Sequence, residues 1–235
     1  MSETTAPSER RIRSPLDPRN PLSGVYFATM LFELAEGGLR FLLPLDLDSK
    51  GIGPEGIGLV LAVFSFTSLV SRGFAGAVYR YDRARRLIVL AGVSSSIAFL
   101  AVPFADTAVG AALLMAADGF GWGVATTVLL AVVMSVTPDT MSSAVAMGWY
   151  VGFQGIALAL ATTVGGLLAQ AVGLQAAMLL LATVPAVAGI LISLRLPRHA
   201  AHETTDAGAT SDDGEDEVVA GPLLLRRARR WAGGA

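Results

Sequence analysis

The chain has 235 residues, 53% of them hydrophobic and only 15% charged, with a mean hydropathy of +0.60. Soluble domains carry about 25% charged residues, so the composition excludes an ordinary water-soluble globule and points to a bilayer. A formal net charge of -2 averages basic loops against an acidic tail and implies no nucleic-acid partner, and the absence of cysteine excludes disulfides and thiolate metal sites.

Apolar length and Gly, Pro and charge punctuation predict an all-α polytopic membrane protein with six transmembrane helices. A disordered N-terminus, 1–21, leads into the first span, Leu22–Leu43, which reads as a retained helix because it carries acids and no credible small-residue cleavage site follows it. The second and third spans are Ile57–Val78 and Leu87–Phe104. The fourth and fifth are Ala108–Val136 and Ser143–Ala171, and the sixth, Leu174–Leu194, follows a turn that Gly173 permits. Between Asp139 and Arg195 there is no Asp, Glu, Lys or Arg, a gap long enough for two spans of about 20 residues each. Pro185 is expected to kink the sixth span by removing a backbone donor. The six-helix domain thus covers 22–197. The tail, 198–235, contains "ETTDAGATSDDGEDE", too polar to bury a core, and ends in "PLLLRRARRW", which reads either as a solvated basic end or as a segment that settles on an anionic membrane surface.

Orientation follows from Lys and Arg in the loops. Arg10, Arg11, Arg13 and Arg19 precede the first span, and Arg80, Arg83, Arg85 and Arg86 follow the second. Arg195, Arg198 and the late "RRARR" follow the sixth, while Lys50 alone falls in the opposite loops. Both termini are therefore expected in the cytoplasm, with the chain in the plasma membrane.

The stretch "FELAEGGLRFLLPL", Phe32 to Leu45, places Glu33, Glu36 and Arg40 inside an apolar run. At mid-depth each charge costs roughly 2.5 to 3.5 kcal/mol on insertion scales. At 100° per residue Tyr26, Thr29, Glu33, Glu36 and Arg40 share one narrow sector. Such a stripe must face neighbouring helices or a water-filled cavity. Two readings follow: an internal Glu36–Arg40 pair at i,i+4 that clamps helices, or the wall of a transport cavity. Asp118 interrupts the fourth span near mid-depth. Arg72 lies in the inner part of the second span and is free to snorkel inward. Gln154 in the fifth span reads as an interhelical hydrogen-bonder. Gly148, Gly152, Gly155, Gly165 and Gly166 read as helix-packing glycines.

Membrane hydrolases need a helix-borne histidine, and the only histidines, His199 and His202, follow the last span. Neither a nucleotide P-loop nor a metal-ligand cluster is present in the sequence. The chain therefore reads as no enzyme, with no metal and no cofactor.

The segment "LRFLLPLDLDSKGIGPEGIGLVLAVFSFTSLVSRGFAG", the basic turn "YDRARRLIVLAG" and the run "SSAVAMGWYVGFQGIALALATTVGGLLAQAVGLQAAMLLL" resemble the amino-terminal six-helix half of a major facilitator superfamily transporter, over about Leu22 to Pro197. The resemblance implies that Gly76, Asp82, Arg83, Arg85 and Arg86 form the cytoplasmic motif that braces the outward-open state, with Arg72 as a further candidate. Asp82 lies six residues after Gly76 where the family places Asp four after, Arg80 occupies that position, and "DRARR" lacks the family's inner Gly. The family usually joins two such halves around a central cavity, which implies a homodimer or a missing second half. The expected function is secondary active transport of a small solute, with proton-coupled efflux as one form. Glu33, Glu36 and Asp118 are the candidate proton or substrate sites, and Arg40 is their charge partner. The alternative is a non-transporting membrane scaffold or partner subunit.

Overall fold

The computed structural model describes residues 20, 22–137 and 141–196. Every regular element there is helical: α1 (Ser23–Ser49), α2 (Pro54–Val78), α3 (Tyr81–Ala101) continued by a 3-10 turn (Val102–Phe104), α4 (Ala108–Val136), α5 (Ser143–Val172) and α6 (Leu174–Arg195). The expected disordered N-terminus and acidic tail lie outside the described residues, apart from Asn20.

Local chemistry sets most of the boundaries. Gly53 is extended and Pro54 opens α2, where a missing N–H costs nothing. The Thr107 and Ser142 side chains accept from the amides of Gly110 and Val145, capping α4 and α5. Gly173, at φ 89°, is the whole connection between α5 and α6, a backbone conformation that only glycine adopts without strain.

Two helices run further than apolar length alone predicts. α1 continues through Pro44 to Ser49, beyond the expected stop at Leu43, and α3 begins at Tyr81, so the basic turn "DRARR" is helical rather than loop. Arg80 is extended at that N-cap and Asp82 lies in the first turn, where a carboxylate complements the helix dipole. Pro185 sits inside α6, and the amide of Ala186 donates to Ser96 Oγ at 2.9 Å, so α3 satisfies a backbone group beside the proline.

Packing follows a simple order. α2 lies along α4, α4 and α6 flank α3, and α6 and α5 flank α1. α2 and α5 are the least buried helices; Phe66, Leu69 and Phe74 of α2 and Val151, Ile156 and Leu167 of α5 are exposed. Such surfaces suit lipid. Five helices, α2 to α6, are long and apolar enough to cross a membrane. α1 has 27 residues but carries Glu33, Glu36, Arg40, Asp46 and Asp48, and most of its length is buried by its neighbours.

Candidate functional site

The first helix is buried on more than one side, and glycines explain how. A Cβ on Gly37 would lie 2.7 Å from Ala161 Cβ of α5, and one on Gly38 would lie 3.0 Å from a Leu181 methyl of α6. This close approach holds α1 between α5 and α6. Tyr26, Thr29, Glu33 and Glu36 are buried as well, and the Arg40 side chain is 29% exposed. The stripe read from the helical wheel is thus turned into the protein.

In α4, Gly119 and Gly123 press on the α2 backbone at Phe64 and Ser68, and Gly121 meets Ala91 O and Ser95 Oγ of α3. Between these contacts stand Asp118 and Trp122. The fully buried Asp118 carboxyl faces Ser95 and the Glu36 carboxyl. Acids from α1 and α4 therefore meet inside the bundle. Glu33 accepts from Gln154 Nε2 of α5 at 2.9 Å and lies beside the Trp122 indole. Glu36 Oε1 is 3.1 Å from Arg40 Nε, an approach whose geometry is not that of a hydrogen bond, so the contact is one of charge.

Aromatic rings complete the cluster. The Arg40 guanidinium carbon lies 4.9 Å from the ring centres of both Phe64 and Trp122, and the Arg72 guanidinium carbon lies 4.9 Å from Trp122. Tyr150 donates to Thr126 O and Tyr26 to Ala146 O, both at 3.1 Å, tying α5 to α4 and α1. Trp122, Tyr150 and Ser95 were not singled out from the sequence, whereas Gln154 is the interhelical hydrogen-bonder expected there, with Glu33 as its partner.

Among the described residues, the buried side-chain polar atoms with no hydrogen-bond partner belong to Thr29, Glu36, Arg40, Ser95, Asp118 and Trp122. Native interiors leave few such atoms, and each asks for an explanation. All sit on the three helices that meet at Glu36 and Asp118. The cluster reaches the surface through Arg40, Trp122 and Gln154, partly buried, and Arg72, exposed. No group of three or more metal-ligating side chains occurs among the described residues.

A family model described as the Major Facilitator Superfamily matches residues 25–232. The chain belongs to the major facilitator superfamily. It is thus a multi-pass membrane protein of a family that moves solutes across membranes. No curated protein matches it.

The gating candidates of this superfamily member do not gather at one place. Asp82 is exposed and lies 3.4 Å from Arg80 of its own turn. Arg85 donates to the Leu196 carbonyl at the end of α6, while Gly76 has no neighbour within 4 Å of a built Cβ. Arg83 and Arg86 are exposed. Arg72 stands apart from them, directed to Trp122 rather than to the α2–α3 turn.

The glycines of α5 also divide. A Cβ on Gly165 would lie 3.3 Å from Gly38 Cα, and one on Gly166 would lie 3.8 Å from Phe41. Gly148, Gly152 and Gly155 have nothing within 4 Å, so they pack against no helix among the described residues. The reason is rotational: Ala146, Tyr150, Ala157 and Ala161 form the buried face of α5, and these three glycines lie away from it.

Proposed function

We propose that this chain is a secondary active transporter of a small solute, with Glu33, Glu36 and Asp118 as proton or substrate sites and Arg40 as their charge partner. The observation that carries the reading is the meeting of α1 and α4 acids in the bundle interior among polar atoms that lack partners. Ionisable groups held there are costly and mark substrate or proton pathways in membrane proteins. An alternating-access protein needs such groups on helices that can exchange partners during switching.

In this reading α1 is the sixth span, its charges screened from lipid by α5, α6 and α4. The domain 22–197 crosses the plasma membrane six times with both termini in the cytoplasm, as the arginine distribution favours. The opposite wall of the cavity is supplied by a second copy or by a second six-helix unit. Proton-coupled efflux is the form to test first. In proteoliposomes carrying the full-length protein, a pH gradient should drive flux of at least one member of a broad panel of small solutes. Flux indifferent to the gradient across the panel, from folded protein, would remove the proposal.

A second reading is favoured by Gly148, Gly152 and Gly155, whose open face on α5 suits close approach by another membrane helix. The chain would then be a non-transporting subunit. A stable hetero-complex in mild detergent with no transport supports it, and a lone monomer argues against it.

A further inference from the structure

Arg72 is a cation with no acid in contact. Among the described residues no carboxylate oxygen lies within 4.0 Å of it, although Arg40 has Glu36, Lys50 has Asp46 and Arg80 has Asp82. Its position sharpens the question. Arg72 lies six residues before the end of α2 at Val78, about 9 Å along the axis. A long basic side chain there could reach the nearer membrane surface. Instead its guanidinium rests on Trp122, the midpoint of α4, and leans towards the N-terminal end of α2 as helical side chains do.

Arg40 reaches the same indole from α1. Two guanidinium groups from different helices therefore share one ring. A guanidinium stacked on an aromatic face keeps its in-plane N–H donors free, and their fork matches two oxygens of a carboxylate or a phosphate. The three acids lie on the buried side of this pair, whereas Arg72 is exposed.

We propose that Arg72, with Arg40 and the Trp122 platform, binds the anionic group of the transported solute, a small carboxylate or phosphate. The assignment rests on the transport reading above and narrows its substrate class. Anion binding neutralises Arg72 at mid-depth, where no carboxylate of the described chain touches it and Glu33 acts on it only through longer-range charge. The acids then remain available for the coupling ion. A phosphate in a lipid headgroup shares this chemistry, so the test separates the two sources.

The test uses the full chain with Trp149→Phe and Trp231→Phe, so that Trp122 is the only tryptophan, in nanodiscs of neutral phosphatidylcholine. Acetate, lactate, benzoate, inorganic phosphate and, as a control, tetramethylammonium are titrated without any gradient. At least one anion should shift the Trp122 emission saturably. Arg72→Gln should weaken that response tenfold or more, and Arg72→Lys should weaken it less. Equal responses in wild type and Arg72→Gln, a response to the cation alone, or no saturable response to any anion would overturn the proposal. An Arg72-dependent shift produced by adding phosphatidylglycerol to the disc, with no response to the soluble anions, would assign the site to lipid and also overturn it. Binding here is independent of flux. Gradient-driven flux without anion binding sinks this inference and leaves the transport reading standing, whereas anion binding without flux sinks the transport reading, and with it the role in transport assigned to the bound anion.

Discussion

Arg40 Nε lies 3.1 Å from Glu36 Oε1, one turn apart on α1, and the same guanidinium is stacked on Phe64 of α2 and Trp122 of α4. One ion pair thus joins three helices. Removing one partner of a buried pair leaves an uncompensated charge and costs about 3 to 5 kcal/mol. Arg40 is part-exposed, so Glu36→Gln should fall at or below the lower end, about 2 to 3 kcal/mol. The expected outcome is a lower melting temperature in detergent, partly restored by adding Arg40→Met. A Glu36→Gln protein as stable as wild type would show that the pair carries no structural weight.

Alanine substitutions should separate the two kinds of glycine. A Cβ on Gly123 would lie 2.5 Å from Ser68 O, a backbone atom that cannot move without shifting α2. Gly123→Ala should destabilise by about 1 to 3 kcal/mol, the usual cost of overpacking. Gly152→Ala has open space and should leave the melting temperature of the isolated chain unchanged. If another helix packs on α5, Gly152→Ala lowers flux or complex recovery at unchanged stability. Equal melting temperatures for wild type and Gly123→Ala would contradict the α2–α4 contact.

Lys50 ties the end of α1 to the end of α3. Its ammonium donates to Asp46 Oδ2 at 2.7 Å and to the carbonyls of Pro103 at 2.8 Å and Ala105 at 3.2 Å. A charge-assisted set of this kind contributes about 1.5 to 3 kcal/mol. Lys50→Met should lower thermal stability by that order and speed hydrogen exchange near Val102–Phe104. No change in either measurement would show that the staple is not formed in the membrane.

Topology can be read with single cysteines, because the native chain has none. Ser49 and Ser143 are both exposed, at the end of α1 and the start of α5. In intact cells an impermeant thiol reagent should label Ser49→Cys and spare Ser143→Cys. The reverse pattern would place the termini outside.

Much of this arrangement is legible in the sequence. α4 begins and ends where apolar length and Gly, Pro and charge punctuation put it, and α2, α5 and α6 differ from expectation by three residues or fewer at an end. The larger misses, at the end of α1 and the start of α3, come from charged or proline-bearing helix ends, which hydropathy cannot distinguish from loops. Glu33, Glu36 and Asp118 stand out because a carboxylate in an apolar run is expensive. Gln154 is legible as an interhelical hydrogen-bonder, and its bond to Glu33 is one, but Trp122 and Tyr150 do not stand out, since an indole or a phenol costs little in composition and gains its meaning from a contact on another helix. The glycines of α5 repeat at spacings that also suit packing, but spacing alone does not say which face has a neighbour.

The central claim is that the buried acids of α1 and α4 work in transport rather than in packing alone. Glu33 tests it most directly, because it accepts from Gln154 and is not paired at i,i+4 with Arg40, so Glu33→Gln preserves size while removing the charge. The measurement is flux driven by a pH gradient in proteoliposomes, with folding checked by thermal melting of the same preparation. The account predicts a melting temperature within a few degrees of wild type and gradient-driven flux reduced at least about tenfold, equivalent to about 1.4 kcal/mol. Wild-type flux from folded Glu33→Gln protein would contradict it.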